Sequence, residues 1–456
     1  LQSGRGLDLR NIGPTRWGLS PTFVIFMTIF IDITGFGMII PLLPFYAETL
    51  QAGPAALGVL VASFSMMQFI FSPILGRFSD NAGRRPVLLL SILTSSISFI
   101  LFALANSFLM LLLSRIIAGM ATESAVAQAY IADITSEKER AKGIGKVGAA
   151  FGAGFIIGPA MGGFLSVYGF SAPGFAAFAL SLLNFLFVFL FLPEPTKIVH
   201  NDTRIESTSS GGYLRKLLDA LQKPLTGATL GIFFIITLAF SAIPVISPLL
   251  GKSFFGFEEI EMSYVFVYIG LVQIVLQGFL IGILVKSVGE EKLIAFGSLL
   301  MTMGMFLMPL IPNIAIFLVS MTLIAFSIGT MNTTVPSFIS KRTSADEQGG
   351  MLGVAQSVGS IARVPGPLIG GFVFQFAGLA APFFLSATML LVAFGLSCRV
   401  FQACVRRNRK NCGSSAYPKP RSESTRRLNI REVSKLSVVN NRAKGLPSGS
   451  SALSAV

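Results

Sequence analysis

Four charged side chains stand inside long apolar stretches of this 456-residue chain: Asp32, Arg115, Glu123 and Arg363. A charge at the centre of a bilayer costs about 2.5–3.5 kcal/mol on insertion scales, so it is kept where it is paired or functional. Loss of water disfavours the charged form of a carboxylate, which makes a buried acid a group that takes up and releases protons. Arg115, Gly119 and Glu123 are four apart, which on a continuous helix puts them on one face. This pattern assigns proton exchange to Asp32 and Glu123, with Arg115 setting the field around them. The competing reading is a static buried ion pair that only fixes helix packing. Gln273, Gln277, Asn332, Thr333 and Thr334 are polar but uncharged residues in other apolar runs. They suit either solute contact or hydrogen bonding between helices. Candidate substrate contacts are therefore Asp32, Glu123, Gln273, Gln277, Asn332 and Arg363.

Other chemistries lack their residues. Phosphate-binding loops, zinc-ligand spacings and hydrolase triads do not occur, so no enzyme, cofactor or metal is expected and an ion gradient must supply the energy. The lone histidine, His200, falls in a polar segment without evident ligand partners.

The elements that must position these charges are membrane helices. Hydrophobic residues make up 53% of the chain and charged residues 12%, with a mean hydropathy of +0.74. Apolar runs of about 20 residues, the length that crosses a bilayer core, fall roughly at 20–46, 57–78, 86–105, 108–131, 142–167, 174–192, 226–250, 261–285, 292–311, 314–338, 349–376 and 382–403. The net charge of +14 is distributed by topology. Arg77, Arg84, Arg85, Lys146, Lys286, Lys292, Lys341 and Arg342 occupy alternate loops, together with the arm, the central segment and the tail. The intervening loops hold Lys252 beside Glu48, Glu258, Glu259 and Glu261. This asymmetry places both termini in the cytoplasm of a plasma (inner) membrane protein. Anionic lipid headgroups are then the expected partner of the basic excess, and nucleic acid is not. Cys398, Cys404 and Cys412 lie on that reducing side and are expected to be inert thiols. The basic arm before the first run reads as cytoplasmic and not as a cleavable leader.

The chain reads as an arm (1–19), a six-helix half (20–192), a linker (193–225), a second six-helix half (226–403) and a basic, disordered tail (404–456). A short surface helix is expected around Tyr213 to Leu221. The halves repeat. Gly158-Pro159-Ala160-Met161-Gly162-Gly163 recurs about 208 residues later as Gly366-Pro367-Leu368-Ile369-Gly370-Gly371, and Thr135-Ser136…Glu139 recurs as Thr343-Ser344…Glu347. Duplicated halves suit a central site that opens to either side by rocking one half on the other.

Between the second and third runs lies Gly76-Arg77-Phe78-Ser79-Asp80-Asn81-Ala82-Gly83-Arg84-Arg85. This pattern resembles the signature loop of the major facilitator superfamily of secondary transporters. In that family the loop latches the halves together in the outward-facing state. Asp80 is expected at a helix N-terminus, where backbone N–H groups favour an anion, and Arg77, Arg84 and Arg85 are expected to bridge to acids such as Asp133. A degenerate echo runs from Gly282 to Gly289, with Lys286 where Asp80 stands. Asp32 through Pro44 resembles the first-helix motif of drug:proton antiporters. Leu111-x-x-x-Arg115-x-x-x-Gly119 resembles the fourth-helix motif, whose Arg is linked to proton transfer. Gly154, Gly158, Pro159, Gly162 and Gly163 resemble the fifth-helix motif of exporters, absent from most importers; small residues four apart also permit close helix packing.

The resemblance implies an all-α membrane protein with twelve transmembrane helices in two pseudo-symmetric six-helix halves. It also implies a monomer that exports small amphipathic compounds in exchange for protons. Residues 23–195 are especially similar to tetracycline efflux proteins, with two departures: Ser98 stands where those carry an acid, and Glu123 where they carry a small neutral residue. The alternatives are a proton-coupled metabolite importer of the same fold and a non-transporting receptor or scaffold.

Overall fold

A computed structural model describes residues 19–135, 137–195, 219–310, 312–343 and 348–415. His200, most of the surface helix expected around 213–221, and the side chains of Lys138, Arg140, Lys142, Cys404 and Cys412 lie outside this description. Every regular element among the described residues is helical. An apolar surround forces this, because only a helix satisfies its own backbone polar groups there.

The twelve expected runs become α1 (Pro21–Ile39) with α2 (Leu43–Thr49), α3 (Pro54–Ala82), α4 (Arg84–Ala103), α5 (Phe108–Met120) with α6 (Glu123–Ile134), α7 (Glu137–Ser166) and α8 (Ser171–Phe191) in the first half. The second half holds α9 (Pro224–Ser241) with α10 (Ile243–Phe255), α11 (Glu259–Val275) joined through a π-helical turn (Leu276–Leu280) to α12 (Ile281–Val288), and α13 (Glu290–Leu307). It continues with α14 (Ile314–Ser340), α15 (Gln348–Ala362) with α16 (Pro365–Ala377), and α17 (Ala381–Ser415). The last helix thus runs past residue 404, where the sequence turns polar and basic.

Local chemistry sets the helix starts. Ser20 caps α1 through a hydrogen bond from the Phe23 N–H at 3.3 Å, and Pro21 at the first helical position has no N–H to leave unpaired. Glu258 and Glu261 form a capping box at the start of α11. The breaks in the first and seventh spans fall at matching places and follow prolines, Pro41 and Pro44 in one and Pro244 in the other. The break in the fourth span contains no proline and falls at Ala121 and Thr122.

The first span packs along α7 and α8, α4 on α8, and α13 on α14. The halves meet along two seams, α3 with α16 and α7 with α11. Both seams are tight at the end away from the basic loops. A Cβ on Gly58 would come 2.5 Å from the Pro367 carbonyl oxygen, and one on Gly163 would come 2.5 Å from the Ser263 Cβ. The Ala55 N–H donates to Gln375 Oε1 at 3.0 Å, and Lys252 Nζ lies 2.6 Å from Glu48 Oε2 across the halves. Toward the basic loops, Gly76 on α3, Gly145 and Gly148 on α7, and Gly282 on α12 have open space where a Cβ would stand. The close contacts between the halves thus lie at the acidic-loop end.

Candidate functional site

Asp32 lies near the middle of α1. Its position is set by a glycine ladder on α7. A Cβ on Gly154 would come 2.9 Å from Ile33 Cβ, and one on Gly158 would come 2.6 Å from the Thr34 carbonyl oxygen. One on Gly162 would run into the Met38 carbonyl. Only glycine at these four-residue steps lets α7 approach α1 backbone to backbone. Gly163 instead faces Ser263 across the seam between halves. Pro159 packs its ring carbon 3.1 Å from the place of a Gly37 Cβ, within an otherwise continuous α7. The antiporter-motif residues thus form the bed on which the acid-bearing first span lies.

Glu123 opens α6, immediately after the break at Ala121 and Thr122, and is 3% exposed. A carboxylate in the first turn of a helix is favoured by the helix dipole. Ser95 of α4 donates its hydroxyl to Glu123 Oε1 at 2.6 Å. Ser98, one turn further along α4, donates to the Ser95 carbonyl oxygen at 2.7 Å. A carboxylate of the fourth span thus reaches the third span, which carries Ser98 and no acid of its own there. Asp32 lies deep in the helix bundle within the electrostatic reach of Glu123, yet keeps part of its surface accessible. Among the described residues neither acid forms an ion pair.

Arg115 and Glu123 both face α4, but at Phe102 and Ser95, seven residues apart, so the two lie about two turns from one another. The Arg115 guanidinium lies over the Phe102 ring, 5.4 Å from its centre. Its Nη2 is buried without a hydrogen-bond partner, and its Nε reaches only Ser114 Oγ at 3.4 Å. The static Arg115–carboxylate pair is thus not formed.

In the second half, Gln277 sits in the π-helical turn, a device often found at functional sites, and packs beside Gly329 of α14. Gln273 is half-buried, and Asn332 and Thr333 on α14 are exposed. Thr334, by contrast, is buried and donates to the Thr330 carbonyl oxygen at 2.9 Å. Arg363 occupies the interruption between α15 and α16. No carboxylate among the described residues pairs with it.

The loop at Gly76 to Arg85 forms a charge cluster within the first half. Arg84 is 8% exposed, with Nε 2.7 Å from Asp133 Oδ2 and Nη2 2.6 Å from Asp80 Oδ1. Its Nη1 donates to Ser79 Oγ at 2.5 Å. Arg85 lies over Phe189, and Arg77 is exposed. Asp80 is not at a helix N-terminus, because α3 continues through it to Ala82. Only Gly83, at φ +100°, ends that helix. The acid at the start of α4 is Glu194, which accepts from the Arg84 and Arg85 N–H groups at 2.6 and 3.0 Å. Sequence reasoning missed Glu194 because it lies 110 residues away, among the prolines that mark the linker.

It also missed the counterpart of this cluster. Gly289 (φ +88°) starts α13 as Gly83 starts α4. The buried Glu290 that follows pairs with Lys341 at 2.9 Å and accepts from Ser337. Extending the repeat beyond Gly282 to Gly289 would have found Glu290 opposite Arg84, and Lys341 opposite Asp133.

Comparison with known proteins agrees with this architecture. The family model of the Major Facilitator Superfamily matches residues 25–367 and 278–439. The class E tetracycline resistance protein of Escherichia coli is 36% identical over 359 residues, covering 76% of this chain and 86% of the relative. Multidrug resistance protein 2 of Bacillus subtilis (strain 168) is 28% identical over 378 residues, covering 82% and 94%. A crystal structure of a human organic anion transporter is similar in fold, with a TM-score of 0.62 at 24% identity, covering 82% of this chain and 98% of that one.

Proposed function

The chain belongs to the major facilitator superfamily of membrane transporters, in its drug:proton antiporter group, and on that premise we propose that it exports small amphipathic compounds in exchange for protons. The observation that carries this reading is the pair Asp32 and Glu123. Two carboxylates from different spans lie deep in the bundle, within reach of each other's charge and without an ion-pair partner among the described residues. Two such acids are stable together when at least one is protonated. A proton arriving from outside and a substrate arriving from inside then compete for the same charge balance.

The direction of transport is supported by the glycine bed of α7, which holds Asp32 through backbone contact. The closed end at Gly58, Gly163, Lys252 and Glu48 supports alternating access. We assign both termini to the cytoplasm, the division of the membrane region at the 193–225 linker, and action as a monomer. The Asp80–Arg84–Asp133 cluster is assigned as the latch between the halves. Gln273, Gln277, Asn332 and Arg363 are assigned to the substrate side of the site.

The test is purified protein in proteoliposomes with an imposed pH gradient, using the cationic dye ethidium as probe. Proton-driven movement by the wild type, lost in Asp32→Asn and in Glu123→Gln, is expected. Undiminished coupling in both variants would remove the assignment. Accumulation in the direction of proton flow would favour the importer reading, and movement of nothing by folded protein the receptor reading.

A further inference from the structure

Arg363 is a cation set at a break in a membrane span. Among the described residues it forms no ion pair. A lone guanidinium deep in a membrane protein is retained where a partner arrives from outside the fold.

Three features fix its position. It falls in the break between α15 and α16, and a discontinuous helix inside a membrane is tolerated where it lines protein or a water-filled space. It precedes Pro367 by four residues and Gly371 by eight, and those two residues meet Gly58 and Pro54 of the opposite half. A Cβ on Gly359 would stand 3.1 Å from the Phe233 ring and 3.6 Å from Arg363 Nη2, which puts the guanidinium beside the seventh span. Arg363 therefore sits beside the seventh span, at the break and on the inner side of the closed seam. It keeps accessible surface there.

Arg115 is the only other arginine deep in a span among the described residues, and it is excluded. It is 3% exposed and lies against the face of Phe102, sealed from any solute. The N-terminus of α16 begins two residues after Arg363 and adds partial positive charge at the same place. The second half thus carries a positive charge, unpaired among the described residues, at its broken helix.

We propose that Arg363 binds an anionic group of the transported compound, so that the substrates include amphipathic organic anions or zwitterions beside lipophilic cations, which other contacts hold. This rests on the transport reading above and adds a substrate class to it. A planar guanidinium holds a carboxylate through two parallel hydrogen bonds, which lysine cannot reproduce.

The experiment uses the full chain in detergent, with fluorescein as the anionic probe and ethidium as the cationic one, binding of each followed by fluorescence anisotropy. Fluorescein binding to the wild type, displaced by benzoate and not by tetraethylammonium, is expected. Arg363→Gln is expected to weaken fluorescein by about tenfold or more with ethidium binding unchanged, and Arg363→Lys to recover part of the loss. Failure of the wild type to bind fluorescein, displacement by both ions alike, or equal loss of both probes in a variant with an unchanged melting profile would overturn the proposal. The benzoate displacement is read on the wild type, so a variant that fails to fold does not decide the matter. Proton-driven ethidium flux in proteoliposomes separately reports on the transport reading.

Discussion

Arg84 and Glu290 occupy matching positions in the two halves and carry opposite charge. Each follows a glycine with positive φ, Gly83 or Gly289, and each is largely buried at the start of its helix. Arg84 pairs with Asp133 at 2.7 Å and Glu290 with Lys341 at 2.9 Å, and both partners end the fourth span of their half. The geometry of the repeat has been kept while the sign of the pair was exchanged. Coulomb attraction within each pair is indifferent to which partner is positive.

The first prediction follows from that indifference. Arg84→Ala leaves Asp133 and Asp80 without their cation and is expected to destabilise by about 3–5 kcal/mol, the usual cost of breaking a buried pair. The triple variant Asp80→Lys, Arg84→Glu, Asp133→Lys copies the second half and is expected to recover most of that loss. Thermal unfolding in detergent measures both. A triple variant no more stable than Arg84→Ala would show that the surroundings demand one polarity.

Gly83 is expected to resist replacement for two reasons. Its φ of +100° disfavours any side chain, at about 1–3 kcal/mol, and a Cβ there would stand 2.8 Å from Glu194 Oε1. Gly83→Ala should therefore lower the melting temperature more than Gly76→Ala, where nothing lies within 4 Å. Equal melting temperatures for the two would refute this.

The glycine bed makes a steric prediction. Gly158→Val places branched carbons against the Thr34 carbonyl and Gly37, whose Cα would stand 2.8 Å from the added Cβ. Overpacking of this kind costs about 1–3 kcal/mol. It also displaces the span that bears Asp32, so transport should fall further than stability. Gly148→Ala, with open space before it, should be silent in both transport and melting assays.

Ser95 tests how Glu123 is held. Its hydroxyl bond at 2.6 Å is to a carboxylate, and such bonds are worth about 1.5–3 kcal/mol. Ser95→Ala should weaken proton-driven transport and change its pH profile, whereas Ser98→Ala should do so less, because Ser98 bonds only a backbone carbonyl. Identical pH profiles for wild type and Ser95→Ala would detach Ser95 from the coupling site.

Lys252 and Glu48 join the halves at the closed end, both about half exposed. An exposed pair contributes about 0–1 kcal/mol. Glu48→Lys should therefore open that end only slightly, read as a small rise in labelling of a cysteine placed at Ala55, beside the seam and already bearing a Cβ. Full opening would mean that the pair, and not the glycine seam, holds the halves together.

Much of the candidate site was legible because membrane insertion makes charge conspicuous. Asp32, Glu123 and Arg363 could be found by scanning apolar runs, and Gly154, Gly158 and Gly162 by their four-residue step. Arg115 and Glu123 both face α4, but eight residues of separation leave them about two turns apart, and spacing alone could not show that Arg115 rests on Phe102. Ser95 and Glu194 were invisible because serines and acids are common, and nothing local marks the one that a distant helix brings to a carboxylate or to a helix start.

Sequence alone determined the membrane class, the spans, the superfamily and the identity of the deep charges, because apolar length and charge in a bilayer are constraints read residue by residue. Only the tertiary structure decided which charges meet. It separated Arg115 from Glu123, gave Glu123 to Ser95, reversed the buried pair between halves and left Arg363 open. Those outcomes depend on how helices far apart in the chain cross, and on where a helix breaks, which spacing along one segment does not encode.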